Sequence, residues 1–402
     1  MIHNFLPSTP FEFGFLIRLA TALLCAAVTG EGLWHFVRLP RISGYALAGL
    51  ALGPLGLGWF DAGDLPYFKV LIDLALSLLL FELGIHVNLR WLRDNPWVVA
   101  SSLIESALTF AAVFAVLFLT GSDARLAASV AAIAIGTSPA IVMRVVAETR
   151  AQGQVTQRLF VLCALNMTYS VVLSKLIMGG LHGAFKGDWF IAVVHPLYLL
   201  LGSLGVGAVL ALAFKLLRNL FDLSDEQGVA VLFGLLLLVL SFLEMLALPV
   251  VLAPLLGGMM VKVLDPRPHL WPRHFGTVGA ILVIMLFVLT GVSLTWRGVA
   301  AGGGVALTLL AVRWVAKSAG VMLLGPVSGL SVRQSLALGL ALVPMSAIAF
   351  LLVEDLRTLY PEFGNRVGAI VLSMLVLMEL ISPMAVQGAL RYTGETGKER
   401  AS

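Results

Sequence analysis

Two cations in one apolar run are the residues best suited to chemistry. In "LLAVRWVAKSAGVMLL", Arg313 and Lys317 are four residues apart, which puts them on one face of a helix. A charge deep in an apolar helix costs about 3 kcal/mol on insertion scales, so it normally faces a partner or a wet cavity. The alternative for Lys317 is snorkelling toward the membrane surface. The spacing favours a buried pair of cations that needs partners.

Carboxylates in other apolar runs are the candidate partners and proton carriers. Asp73 and Glu82 lie nine residues apart in "LIDLALSLLLFELGIH", on roughly one side of a helix. Glu105, Glu244 and Glu379 lie in three further apolar runs. Each acid could carry a proton, form half of a structural ion pair, or be held neutral by burial. Glu82 is the acid we favour for a functional role.

A neutral polar cluster interrupts the run "VLCALNMTYSVVLSKL". Its members are Asn166, Met167, Thr168, Tyr169 and Ser170, and none is a carboxylate. An asparagine side chain offers a carbonyl oxygen and two donors but never a charge. It can therefore help to coordinate a monovalent cation or hold helices together, but it cannot release a proton.

The composition defines the setting of these residues. The chain has 402 residues, of which 59% are hydrophobic and 12% charged, with a mean hydropathy of +0.99. A soluble domain typically has about a quarter of its residues charged, so most of this surface faces lipid. The net charge of +4 then belongs to loops at a membrane face rather than to a nucleic-acid site. The sequence has no metal-ligand spacing, glycine-rich phosphate loop or Ser/His/Asp set, so we expect neither an enzyme nor a cofactor.

The apolar runs predict an all-α polytopic membrane protein. A helix needs about 20 apolar residues to cross the hydrocarbon core. On that basis we expect one transmembrane domain over residues 1–392 and a short cytoplasmic tail over 393–402. The chain gives thirteen segments, at about 11–37, 43–60, 66–88, 97–120, 124–148, 156–181, 188–217, 226–244, 247–263, 276–294, 298–324, 331–355 and 364–390.

The basic residues of the connections predict the orientation. One set of alternate connections and tails contains sixteen Lys and Arg residues, and the opposite set contains six. Cytoplasmic loops carry the excess of basic residues. The N-terminus is therefore expected outside and the C-terminus in the cytoplasm, with the chain in a bacterial inner membrane.

Helix breakers occur at membrane depth in the fifth and twelfth segments, in "IAIGTSPAIVMR" and "LALVPMSAIAF". Proline removes a backbone donor and frees carbonyls that need new partners. The two interrupted segments are seven spans apart. Because successive spans alternate in direction, an odd offset means that the two segments cross the membrane in opposite directions, as in two halves of inverted topology. Interrupted helices at matching places in such halves indicate a transport site near the midplane. The residues concerned are Gly136, Thr137, Ser138 and Pro139 in the first break and Pro344, Met345 and Ser346 in the second.

Several motifs resemble those of the monovalent cation:proton antiporters, the family of the sodium/proton and Kef-type potassium/proton exchangers. "VRLPRISGYALAGLALGPLGLGWF" is similar to the family's second-helix signature, and "LALSLLLFELGIHVNLRWLR" to its third-helix pattern. "GTSPAIVMRVVAE" resembles its broken helix, and "AVRWVAKSAG" its basic helix, with Arg313 and Lys317 at the basic positions. The likeness runs over about residues 35–390.

The resemblance implies a fold with two crossed, interrupted helices and an elevator-type mechanism. A core domain, including about residues 66–181 and 276–390, would carry the ion past a panel of the remaining helices. The panel would form a homodimer contact. Kef-type members add a cytosolic nucleotide-binding domain, so a separately encoded cytosolic regulatory subunit is a possible partner.

The sequence departs from the family at the transport helix. Relatives carry an Asp there, which takes a proton or a cation in turn. Here that position is Met167 or, if the alignment is shifted by one residue, Asn166, and neither alignment restores the carboxylate. Lys317 therefore needs another partner.

The sequence leaves three functions open. The first is sodium or potassium:proton antiport in which Glu82 or Lys317 replaces the missing Asp. The second is transport of an anion or another solute, which follows if Lys317 and Arg313 stay unneutralised. The third is a non-transporting sensor or subunit. The expected ion-binding residues are Asn166, Met167, Thr137, Ser138, Lys317, Arg313, Glu82, Asp73 and Ser346, with helix breaks at Gly136, Pro139 and Pro344.

Overall fold

The fold is a bundle of helices, several of them interrupted or bent. The computed structural model describes residues 14–60, 65–187, 189–221, 225–265, 275–292, 296–345 and 348–397, and the regular structure of these residues is helical. Ser346 and the last residues of the tail, 398–402, lie outside the described residues.

Successive helices follow the apolar runs of the sequence. The first half of the chain forms α1 (Phe15–Gly32) with a π-helical extension (Leu33–Val37), α2 (Arg41–Leu52), α3 (Leu65–His86), α4 (Leu89–Asp94), α5 (Pro96–Leu119), α6 (Ala124–Ile135), α7 (Pro139–Thr149) and α8 (Gln154–Lys186). The second half forms α9 (Trp189–Phe221), α10 (Asp225–Met245), α11 (Leu252–Leu264), α12 (Phe275–Val292), α13 (Trp296–Leu324), α14 (Val332–Ala341), α15 (Ile348–Leu359) and α16 (Pro361–Thr393).

The two helix breaks divide the segments in which the sequence placed them. The fifth segment is split into α6 and α7, and the twelfth into α14 and α15. Among the described residues, eight helical stretches are long and apolar enough to cross a membrane, including α5, α8 and α16. The expectation of an all-α polytopic membrane protein with interrupted helices is confirmed, and the exact number of thirteen spans stays a prediction.

Packing separates two groups of helices. One group surrounds the breaks: α5 packs on α13 and α6, α6 on α8, and α16 on α13, α14 and α15. In the other group, α3 packs on α11 and α12, α2 on α1 and α12, and α9 on α11. We call these the crossing group and the outer group. Many large apolar side chains of α1, α9 and α10 are exposed, as expected for surfaces that face lipid.

Candidate functional site: the crossing of the interrupted helices

The first break is a short extended segment between α6 and α7. Gly136 and Ser138 have extended backbone angles, and α7 begins at Pro139. Proline is well suited to the first position of a helix because the N–H that it lacks has no partner there in any case. The Ser138 hydroxyl accepts a hydrogen bond from the Ile141 N–H at 3.4 Å and caps the new helix.

The second break lies directly against the first. The Ser138 N–H donates to the Pro344 carbonyl at 3.0 Å. The Thr137 hydroxyl donates to the Leu342 carbonyl at 3.1 Å. Both contacts are buried, so the two breaks satisfy each other's backbone groups at the point where the helices cross.

Arg313 binds the carbonyl ends of both broken helices. Its guanidinium is fully buried and donates to the carbonyls of Ala134 at 2.6 Å, Gly136 at 2.8 Å and Pro344 at 3.4 Å, and also to that of Val343. The C-terminus of a helix carries a partial charge of about −0.5. Two such ends, those of α6 and α14, therefore offset the single positive charge of Arg313.

Lys317, one turn further along α13, forms a buried ion pair. Its ammonium group donates to Glu105 Oε1 at 2.5 Å, to the Ile135 carbonyl at 2.9 Å and to the Thr137 hydroxyl at 3.4 Å. Both side chains of the pair are 0% exposed. The lysine thus joins a carboxylate of α5 to the end of α6.

The position of Glu105 depends on close contact between α5 and α13. Gly320 lies three residues after Lys317, and a Cβ atom there would come within 2.4 Å of the Glu105 Cα. The missing side chain lets the two helices approach closely enough for the ion pair. Hydroxyls of Ser106 and Thr109 lie 3.4 Å from the two carboxylate oxygens, and each also has a shorter acceptor, Asn166 Oδ1 at 3.1 Å and the Glu105 carbonyl at 2.8 Å.

Asn166 completes the polar cluster from α8. Its side-chain oxygen accepts hydrogen bonds from the hydroxyls of Ser106 at 3.1 Å and Ser102 at 3.3 Å. Its side-chain nitrogen donates to Thr137 Oγ1 at 3.3 Å. Asn166 is therefore one hydroxyl away from both members of the ion pair. Met167 is buried among apolar side chains instead.

Two further polar residues of the α8 cluster, Thr168 and Ser170, bond to backbone carbonyls. The Ser170 hydroxyl donates to the Ala132 carbonyl at 2.9 Å, and the Thr168 hydroxyl to the Ala164 carbonyl at 3.0 Å. The Tyr169 side chain instead bonds to Ser102, whose hydroxyl also reaches Asn166. Of the four polar residues, Asn166 is the one that shares hydroxyls directly with both members of the ion pair.

The two acids of α3 lie elsewhere. Glu82 lines a cavity of about 100 Å³ between α3, α7 and α12, together with Met143 and Arg144. Asp73 is buried two and a half turns earlier on α3, on the side of the Lys69–Glu244 ion pair. Neither acid is among the hydrogen-bond partners found for Lys317.

Glu105 is the residue that the sequence reading undervalued. The sequence offers it beside Glu244 and Glu379 and favours Glu82 for a functional role. A signal was present, because Ser101, Ser102, Glu105, Ser106 and Thr109 form a polar stripe at helical spacing along an otherwise apolar helix. A buried stripe of this kind indicates a polar neighbour, which here is Lys317 with Asn166.

Crossed, interrupted helices with a buried basic residue at their contact define a membrane transporter of the antiporter type. Residues 19–390 match the family described as sodium/hydrogen exchanger, transmembrane, and the chain belongs to that family. The resemblance to cation:proton antiporters noted from the motifs is thereby confirmed.

Solved structures of similar fold agree with this assignment. The sodium proton antiporter MjNhaP1 from Methanocaldococcus jannaschii at pH 8 superimposes with a TM-score of 0.72 at 18% identity, covering 95% of this chain and 100% of that one. An electron-microscopy map of the same antiporter gives a TM-score of 0.74 at 18% identity, covering 96% and 100%. At this identity the likeness establishes the fold.

Proposed function

We propose that this protein exchanges a monovalent cation, sodium or potassium, for a proton, and that the Glu105–Lys317 pair is the exchange site. The observation that carries the proposal is the buried ion pair itself. It supplies a carboxylate and a titratable amine at the crossing, where the transport helix has only Asn166.

Exchange follows from competition for one carboxylate. An incoming cation takes the place of the Lys317 ammonium beside Glu105. Oxygen atoms suited to a hard cation are already there, on Glu105, Ser106, Thr137 and Asn166. The displaced lysine gives up its proton, because an ammonium without its partner is costly in a desolvated site. When the cation leaves, a proton returns to the amine and the pair reforms.

The contacts of Lys317 favour a cation over an anion. Anion transport rested on an unneutralised Lys317, and Glu105 neutralises it at 2.5 Å. Arg313 is held by carbonyls of both breaks. The crossing therefore lacks the surplus positive charge that would draw an anion.

An elevator-type movement is part of the proposal. The crossing group contains the ion pair, both breaks and Asn166, so it would be the body that moves. The close packing of α3 on α11 and of α12 on α2 supports counting α3 and α12 with the panel, although they fall within the core range 66–181 and 276–390 expected from the sequence. We count α7, which packs on α8 and α16, with the crossing group. Links from it to the outer group, such as the Arg41 N–H of α2 to Glu148 Oε2 at 3.0 Å, would have to break as the core moves.

Purified protein in liposomes tests the proposal. We expect sodium or potassium to dissipate an imposed pH gradient in the unmodified protein. Glu105→Gln and Lys317→Ala should reduce this flux to the level of protein-free liposomes. Glu244→Gln is the matched control, since that acid pairs with Lys69 at 3.7 Å away from the crossing and should leave the flux unchanged.

A further variant separates the two acid sites considered for the proton. Glu82→Gln should keep cation-dependent proton flux if the crossing carries the proton. Loss of flux in Glu82→Gln with full activity in Glu105→Gln would assign the proton to the α3 cavity and overturn the proposal. Absence of cation-dependent proton flux in the unmodified protein would refute antiport altogether.

The remaining expectations about the whole protein stay predictions. These are the bacterial inner membrane, the outside N-terminus and cytoplasmic C-terminus, the homodimer and the separately encoded regulatory subunit. Labelling of single cysteines introduced at the chain ends, from either side of the membrane, tests the orientation. Mass measurement of the protein in native detergent or nanodiscs tests the dimer.

A further inference from the structure

A second buried carboxyl group lies away from the crossing, on α16. Glu379 is 3% exposed, and its Oε2 has no hydrogen-bond partner among the described residues. The Glu379 side chain is in hydrogen-bond contact with the hydroxyl of Thr290, which lies near the end of a different helix, α12. A carboxyl group in this position is unusual, because a buried charge needs a paired charge or several donors.

The backbone beside Glu379 adds a second acceptor without a regular partner. Pro383 lies inside α16, four residues further on. Proline has no N–H, so the helix cannot supply the hydrogen bond that the Glu379 carbonyl would normally accept. The same turn of α16 therefore presents carboxyl and carbonyl oxygens together.

Charged groups on the surrounding helices are engaged elsewhere. Among the described residues, Glu379 forms no ion pair. Within α16 itself, Glu362, Arg366 and Arg391 lie near the two ends. On the helices packed against α16, the described charged groups have their own contacts: Arg313 with carbonyls, Lys317 with Glu105, Arg144 with Glu148, Arg357 with Glu354, Asp355 with Lys175, Arg41 with Glu31, Arg158 with Ser328, and Arg333 with the Tyr392 carbonyl; Arg125, at the start of α6, is also engaged.

The hydrogen bonds around Thr290 indicate whether Glu379 is protonated. The Thr290 hydroxyl has one hydrogen, and it donates to the Phe287 carbonyl at 3.0 Å. The Thr290 hydroxyl is also in hydrogen-bond contact with Glu379, so its one hydrogen is shared between two acceptors. A buried carboxylate needs a paired charge or several donors, and one shared hydroxyl is too little. The neutral acid therefore fits this site better than the carboxylate.

The proton on Glu379 would lie at a contact between the two groups of helices. Glu379 belongs to the crossing group, whereas Thr290 lies on α12 of the outer group, which packs on α2 and α3. We propose that Glu379 is a second proton-binding site, separate from the crossing. It holds a proton while it lies against Thr290 of α12 and exchanges it when the proposed elevator-type movement separates the two groups. This site would make the movement of the core sensitive to proton concentration, independently of the exchanged cation.

Infrared spectroscopy of the purified protein tests whether the proton is there. We expect Glu379→Gln to remove one C=O stretching band of a protonated carboxyl at neutral pH, and Thr290→Val to shift that band. Glu362→Gln, an acid in the first turn of the same helix, should leave the band unchanged. A spectrum in which neither Glu379→Gln nor Thr290→Val alters a protonated-carboxyl band would overturn the proposal.

The pH dependence of transport tests whether the proton is exchanged. Glu379→Gln mimics the neutral acid permanently, so we expect the pH profile of cation flux to lose one titration step while the KM for the cation stays unchanged. Ser382→Ala, which removes a buried hydroxyl three residues away on α16, is the packing control and should keep the full profile. An unchanged profile in Glu379→Gln would refute exchange at this site. The infrared result does not depend on antiport, so failure of the proposed function and failure of this inference are distinguishable.

Discussion

Arg313 and Lys317 are one turn apart on α13 and equally buried, yet their partners differ in kind. Arg313 binds only backbone carbonyls among the partners found for it, from both breaks, whereas Lys317 binds the carboxylate of Glu105 in addition to the Ile135 carbonyl. A carbonyl cannot be protonated or removed without unfolding the chain, but a carboxylate can change partners. One cation therefore joins the two breaks through groups that cannot titrate, and the other is suited to exchange.

The chemistry of the two side chains fits this division. A guanidinium is always charged and has five donors in a rigid fork, so it can bind four carbonyls at once. An ammonium is a compact charge that loses its proton readily when buried.

Removing Arg313 should have the largest effect. Arg313→Met leaves the carbonyls of Ala134, Gly136 and Val343 buried without this donor, and each such group costs about 1–3 kcal/mol. We expect loss of folded protein, measured as the yield of monodisperse protein in detergent and by its thermal unfolding. Arg313→Lys keeps the charge but not the fork and should recover only part of the stability. Wild-type stability in Arg313→Met would show that the breaks hold without the guanidinium.

Breaking the Glu105–Lys317 ion pair should lower the stability less than removing Arg313. A second substitution that removes the other charge of the pair should restore the lost stability. Glu105→Gln or Lys317→Met alone leaves one buried charge uncompensated, which costs about 3–5 kcal/mol when it cannot neutralise. The double variant removes both charges, and such replacements are often neutral in stability. We therefore expect the double variant to unfold near the wild-type temperature but to remain inactive. Restored flux in the double variant would contradict exchange at this pair.

Gly320 offers a way to separate the pair without changing either charge. In Gly320→Ala the new Cβ would lie 2.4 Å from the Glu105 Cα, so α5 and α13 must move apart. Overpacking of this kind costs about 1–3 kcal/mol, and we expect cation-dependent flux to fall much more than stability. Gly304→Ala on the same helix meets nothing within 4 Å and is the matched control. Equal flux in the two variants would mean that the distance between the helices does not limit exchange.

The contact at Gly320 also explains which parts of the site could be predicted from the sequence. Apolar runs and prolines marked the helices and both breaks, because span length and the missing proline N–H act locally. Arg313 and Lys317 stood out for the same reason, since a charge in an apolar run is visible without any neighbour. Glu105 could not be separated from Glu244 and Glu379, because its role depends on how closely α5 approaches α13.

Adding a carboxylate beside Lys317 should have a smaller effect than these substitutions, and the effect should be on the KM for the cation. Asn166→Asp places a second acid one hydroxyl away from Lys317 and Glu105. The extra negative charge favours a bound cation, so we expect the KM for sodium or potassium to fall by a few-fold. Stopped-flow measurement of flux against cation concentration tests this. A KM that stays the same would place the bound cation away from Asn166.

The smallest effect is expected for a carboxylate with a purely structural set of partners. Glu395, after α16, accepts hydrogen bonds at 2.7–2.8 Å from the N–H groups of Val155 and Thr156 and from the Thr156 hydroxyl, at the start of α8. Helix capping contributes about 1 kcal/mol, so Glu395→Gln should lower the unfolding temperature slightly. We expect its cation flux to match that of the wild type. A loss of flux as large as that of Glu105→Gln would mean that α8 must be fixed at this end for exchange at the crossing, and the division between holding and exchanging groups would then extend beyond α13.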